Sequence, residues 1–450
     1  MQDSARTFEG LPPELKNKVI SKLPDAHSVF NLALTGPVFY NHIFHDDDGA
    51  NERTIASDIV VAQVGSTLLP MAIARYEASI ISWKRDLSSQ AVPMPLNSSM
   101  LCENIVQFSN EHLEGQHAAR VKKLPARLAL LPIAKDLLSC HEAIQHYAAV
   151  LSIKAATSMP SRQHRMNVYE AEDIIPNDRE KLRFSKALYI FQVISELFMV
   201  NTTNPIIWRP EDTGFSALAA FWRKFAPWEN QQVRCIQRLL MDHIQPPQGA
   251  FIIAPRSRLW KFVVAQGPSG LYDIYHRQRF SHHNVNFTYL CWPRFIFAIH
   301  ILHSSINDLV WYPSDTLWLN FTSQATQFNR LYILDAAHLL REFPEGDSGP
   351  AYIWYHMLCQ NALPPQADGV SVFQAKHSFT RCENCLTNWG FPFWDRQKFD
   401  RYSSEEFPSM EAMQNALRDD FGDRLSFRAV VINVHSRPNT PRFCRCSGHV

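Results

Sequence analysis

Four cysteines near the carboxyl end are the residues best suited to chemistry. Cys382 and Cys385 form a Cys-x-x-Cys pair, a spacing that lets both sulfurs reach one ion. Cys444 and Cys446 form a tighter Cys-x-Cys pair, with His449 just beyond it. Thiolates and an imidazole in that number suffice for a tetrahedral zinc site. A zinc ion there would tie down the final residues, where chains fray. The plainer reading is a set of free thiols in a reducing compartment, and no metal or other cofactor is expected. Redox chemistry at Cys382 and Cys385 would need a thioredoxin-like strand context, which is missing.

Other catalytic patterns fail. There is no Gly-x-Gly-x-x-Gly loop, no phosphate loop ending in Gly-Lys-Ser/Thr and no Gly-x-Ser-x-Gly elbow. Glycine supplies only 15 of 450 residues, sparse for a chain that cradles phosphates. His282 and His283 are adjacent and point apart on a helix or a strand. His141 and His146 are five apart, which takes them off a shared helical face. The expectation is a protein that is not an enzyme.

Composition narrows the class. Hydrophobic residues make up 46% and charged residues 19%, the profile of a folded globular chain. A formal charge of +1 is too small for a dedicated nucleic-acid surface. Nine scattered cysteines do not make a disulfide scaffold. The polar start carries no secretory pattern, so the expected location is cytoplasmic, nuclear or both. The most apolar span, 287–302, contains Pro293, Arg294 and His300 and falls short of the roughly 20 apolar residues a membrane helix needs. It reads as buried core, and neither nucleic acid nor membrane is an expected partner.

The elements begin with three short helices. Leu15, Val19, Ile20 and Leu23 gather on one stripe of a first helix. Pro12 and Pro13 suit its first turn, where a missing N–H does no harm, and Pro24 stops it. A second apolar run covers 29–34. A third starts at Gly36-Pro37 and carries Val38, Phe39, Tyr40 and Ile43. Three such helices in about forty residues are too small to be comfortable alone and must lean on the rest of the chain or on a partner.

The segment Leu11-Pro12-Pro13-Glu14-Leu15, with Val19-Ile20, Leu23-Pro24 and Asn31-Leu32-Ala33-Leu34-Thr35, resembles an F-box, particularly those of filamentous-fungal proteins. The resemblance covers residues 8–45. It implies a three-helix element that docks onto the Skp-type adaptor of a cullin-based ubiquitin ligase. The implied adaptor contacts are Leu11, Pro12, Leu15, Val19, Leu23, Val29 and Leu32. Lys16, Asn17 and Lys18 stand where relatives are often more apolar, and Phe39 stands near a position often held by tryptophan.

Beyond the hinge Asp46-Asp47-Asp48-Gly49, periodicity predicts helices at 54–86, 101–113 and 117–153, the last interrupted at Pro125 and Pro132. A polar run at 158–179 is the expected boundary between halves. Further helices are expected at 179–200, 214–243, 287–305 and 324–342. Trp222, Phe225 and Trp228 read as packing aromatics. Trp389-Gly390-Phe391-Pro392-Phe393-Trp394-Asp395 resembles a segment of fungal F-box-like proteins and reads as a structural plug. Gly390 would supply a tight turn and Asp395 a cap. No fixed-period repeat is present.

The expected fold is mainly α: a short N-terminal three-helix F-box (8–45), a helical region (54–157) and a large irregular α-helical body (179–450) with few short strands near the C-terminus. Two functions fit. In one, the chain is the substrate receptor of the ligase, holding an unknown protein target through its body. In the other, it is a helical scaffold or regulator whose first helices pack internally and engage no ligase.

Overall fold

The computed structural model describes residues 10–20, 22–23, 26–45, 49–81, 98–114, 123–157, 175–198, 221–222, 224–244, 266–276, 341, 343, 348–353 and 390–398. Within them the protein is mainly α. Helix α1 is Pro13–Ile20, α2 Ala26–Leu34, α3 Pro37–Phe44, α4 Ala50–Ile80 and α5 Ser98–His112. Helix α6 is Leu131–Thr157, α7 Asp178–Phe198, α8 Pro227–His243 and α9 Gly267–Tyr275. A 3-10 turn, Phe391–Phe393, follows much later in the chain. No strand occurs among the described residues, which after 353 are 390–398 alone. The helix expected at 287–305 and, apart from Arg341, the one at 324–342 fall outside them.

Helix α4 is the central element, packed against α6 and α7 and also touching α1, α3 and α5. Neighbours on several sides explain why it is apolar on several sides. By length and composition it could cross a membrane. Instead Ile55, Ile59, Val60, Leu68, Leu69, Met71 and Ala74 are buried among the other helices. Gly65 breaks it, with φ 76° and ψ 150°. A residue with a Cβ resists that positive φ. Pro70 lies five residues past the break, inside the second segment, where it has no N–H to give the Ser66 carbonyl.

Helix α6 starts later than periodicity suggested. Residues 123–130 form turns in which the Pro125 carbonyl accepts from Leu128 and Ala129 N–H, at 2.8 and 3.1 Å. Leu124 and Leu128 are buried nonetheless, so their apolar spacing reflected burial rather than helix. Pro132 then falls in the first turn of α6. The Glu52 carboxylate accepts the Leu131 N–H at 2.9 Å, placing a negative charge at that helix's positive end. The helix expected at 214–243 is broken by turns at 224–226, after helical Phe221 and Trp222, with 214–220 outside the described residues; α8 then starts at Pro227, and Glu229 reaches back to accept the Ala226 N–H at 2.9 Å.

Helix α7 begins with a reciprocal cap. Asn177 Oδ1 accepts the Glu180 N–H at 2.9 Å, and Glu180 Oε2 accepts the Asn177 N–H at 3.2 Å. The same buried Glu180 also accepts the Asp395 N–H and pairs with Lys398. Arg183, one turn on, pairs with Asp395 and donates to the Phe393 carbonyl. Asp395 therefore ties the late segment to α7 through its carboxylate. Phe393 is fully buried and stacks on Phe184 with ring centroids 3.7 Å apart. Trp394 is buried beside it, so both act as plugs as expected. Gly390 turns the chain at φ 69°, and a Cβ there would lie 2.9 Å from Ala155 Cβ. Helices α6 and α7, which flank the polar run at 158–179, share one hydrophobic cluster that extends from Ile20 to Phe393.

Candidate docking surface

Helix α1 starts on the Pro12 carbonyl, which accepts from Leu15 and Lys16 N–H at 3.1 and 3.0 Å. Its inner side is fixed by Ile20, which is fully buried. Its outer side carries Leu15 and Val19, one turn apart and 47% and 44% exposed. Pro12 is exposed beside them, while Leu11, Leu23 and Leu32 are half-buried. Leu23 and Leu32 lean on the hydrophobic cluster. Val29 is fully buried, and its side chain is taken up by the chain's own core. That removes it from the outward-facing set, because α2 turns the Val29 and Ala33 stripe inward onto the body.

A polar ring holds α1 in place. His42 Nε2 lies 2.8 Å from Asn17 Oδ1. Asn17 Nδ2 donates to Asn51 Oδ1 at 2.8 Å, and Asn51 Nδ2 donates to the His42 carbonyl at 3.0 Å. Since Asn17 Oδ1 can only accept, His42 carries its proton on Nε2. The ring joins α1, α3 and α4. Asn17, a departure from the apolar pattern of the resemblance, thus has a structural use in this chain.

Sequence reasoning missed a second exposed apolar group. Leu34, Val38 and Tyr40 are 77%, 37% and 42% exposed. Tyr40 packs against Phe44 at 5.1 Å between ring centroids, and Phe44 against Phe30 at 5.8 Å. The signal was present: Phe39 and Ile43 are one turn apart and buried, which forces Val38 and Tyr40 toward the outside.

The buried titratable groups have structural partners. His141 shares a hydrogen bond with Tyr189 at 2.9 Å. Burial lowers His141 to about 4, partly offset by a hydrogen bond to the Gln63 backbone. Burial also raises the Tyr189 hydroxyl far above its ordinary range. Cys140 is fully buried, and its thiol is pushed up to about 11 by burial despite the nearby Arg75 cation. A thiol so far from its thiolate is a poor nucleophile. Arg75 itself pairs with Asp136 and, at 3.4 Å, with Glu196, joining α4, α6 and α7. Among the described residues, no group of three or more His, Cys, Asp or Glu could hold a metal. Cys382, Cys385, Cys444, Cys446 and His449 lie outside those residues.

No family model matches the chain, and no curated protein or solved structure matches it.

Proposed function

We propose that this chain is the substrate-receptor subunit of an SCF-type cullin ubiquitin ligase. The three N-terminal helices are its F-box. They dock on the Skp-type adaptor, and the helical body holds a protein target. The observation that carries the reading is the outward pair Leu15 and Val19 on a helix whose other side is anchored by Ile20 and the Asn17 ring. Helix-in-groove recognition needs such anchors, presented on a firmly held helix. Mechanistically the subunit works by proximity. It forms and breaks no bond itself, and it raises the local concentration of a target lysine near the charged conjugating enzyme. Its place of action is the cytoplasm, the nucleus or both, with no nucleic-acid or membrane partner.

The scaffold reading draws on a different observation. Val29, Ala33 and Ile43 share the body's hydrophobic cluster, so part of the three-helix element is already occupied internally. One titration separates the two. Each of Leu15 and Val19 is about half exposed, so completing its burial contributes about 1 kcal/mol. Leu15→Ala/Val19→Ala is therefore expected to weaken binding of the full chain to a Skp-type adaptor about 10- to 30-fold. Adaptor binding that is absent in the wild type, or equal in the double variant, removes the ligase reading.

A further inference from the structure

Helix α9 has nine residues, too few to persist without tertiary support. Its first residue, Gly267, sits against α7 at φ 73°, where a Cβ would meet Gln192 Oε1 at 2.6 Å and Ser195 Oγ at 2.9 Å. The Ser269 N–H donates to Gln192 Oε1 at 2.9 Å, and Leu271 is fully buried. The other end rests on a cluster of rings. His146 of α6 meets His276 edge-on with centroids 4.3 Å apart, and lies 5.2 Å from Tyr272. Tyr272 and His276 stack at 4.8 Å. Tyr147 of α6 stands edge-on at 6.5 Å from His276 and from His243, the last residue of α8.

His146 and His276 therefore meet beside the last turn of α9, and His243 reaches the Tyr147 ring that both flank. The charged and titratable groups around them are few. Helix α6 adds Glu142, which accepts the Tyr272 hydroxyl at 3.1 Å, together with Tyr147 and Lys154. Helix α9 adds Asp273 and Tyr275. Helix α7 presents neutral Gln192 and Ser195, with Glu196 behind Gln192 at 2.9 Å. The affinity of His146 for a proton is lowered first by burial and then by His276, and the Glu142 carboxylate partly restores it. His243 is lowered by burial, then by Lys154, His146 and His276.

We propose that His146 and His243 form an acid-sensitive latch, which holds α9 on α6 while the two rings are neutral and releases it when they are protonated. The direction follows from linkage. A closed-state ring binds its proton less readily than a free imidazole, so the closed form is fully favoured above about pH 6.5 and loses that advantage as pH falls. Release uncovers Tyr147, which is 1% exposed in the closed form, and the seat of Leu271. The latch is independent of the ligase reading.

Hydrogen exchange on the full chain tests it, with rates corrected for intrinsic exchange at about pH 7.5 and about pH 5.5. Protection of α9 amides is expected to fall about tenfold or more at the lower pH while α7 amides keep theirs. His146→Gln/His243→Gln is expected to abolish the fall. His146→Gln alone is expected to reduce it about threefold. Protection of α9 that ignores pH, that falls equally in the variants, or that falls only together with α7 overturns the latch.

Discussion

Acidification should weaken the whole fold through one buried side chain, His141. In the folded chain its ring bridges Tyr189 on α7 and the Gln63 backbone beside the break in α4. Burial is the leading cause that lowers its proton affinity from 6.5 to about 4. An unfolded chain binds that proton below about pH 6.5, whereas the folded chain resists it until about pH 4. The contribution is thus complete above about 6.5, shrinks as pH falls, and is gone below about 4. A gap of roughly 2.5 pH units corresponds to about 3 kcal/mol, of which about 2 kcal/mol is already lost at pH 5. Urea titration of the wild type and of His141→Gln at about pH 7.5 and about pH 5 isolates the group. Glutamine can still bridge the two partners but cannot titrate. The wild type should lose about 2 kcal/mol more than the variant over that interval. Equal losses in both proteins would refute the assignment, because other carboxylates and histidines are common to the two.

Two further perturbations probe how the ends are fixed. Asn17→Ala opens the ring with His42 and Asn51 and should cost about 1–2 kcal/mol, read as faster hydrogen exchange in α1 than in α6; unchanged exchange in α1 would show that the ring does not hold it. Phe393→Ala removes the ring stacked on Phe184 and should cost about 3–5 kcal/mol by denaturant titration, with proteolysis near 390–398 appearing first. A loss under about 1 kcal/mol would mean that the plug is dispensable.

What could be read from the chain divides along physical lines. Pro13 and Pro37 stand in first turns as expected, and Pro132 and Pro227 do too, although periodicity carries a helix through both. Periodicity failed between 123 and 130, where Leu124 and Leu128 are buried from turns, since spacing alone does not distinguish a buried turn from a buried helix. Helix α9 was missed because Gly267, Pro268 and Gly270 look like loop residues, and only contact with α7 makes a helix there. The apolar stripe of α1 was legible, but its division into inward Ile20 and outward Leu15 and Val19 was not. Nor was the inward fate of Val29. That division depends on where α4 and α6 lie, which no local pattern states. The polar Asn17 looked like a departure because its partners are 25 and 34 positions away.

The shared core at the N-terminus bears directly on the proposed ligase role. A receptor whose docking helices hang on a flexible tether samples many orientations, and the effective concentration of its cargo near the conjugating enzyme falls with tether length. Here α3 ends at Phe44 and α4 starts at Ala50, so the connection is short. Ile20, Val29, Ala33 and Ile43 lie in the same hydrophobic cluster as Ile55, Ile59 and Leu137. Separating the three helices from the body would expose all of these side chains, at about 1.5–3 kcal/mol for each of the larger ones. Two of the residues that resemble an adaptor contact remain outside that cluster and face solvent on α1. An element embedded on one side and open on the other transmits the orientation of its partner to the body without slack. In the proposed complex, that rigidity fixes which surface of the body faces the conjugating enzyme, and the target must bind there.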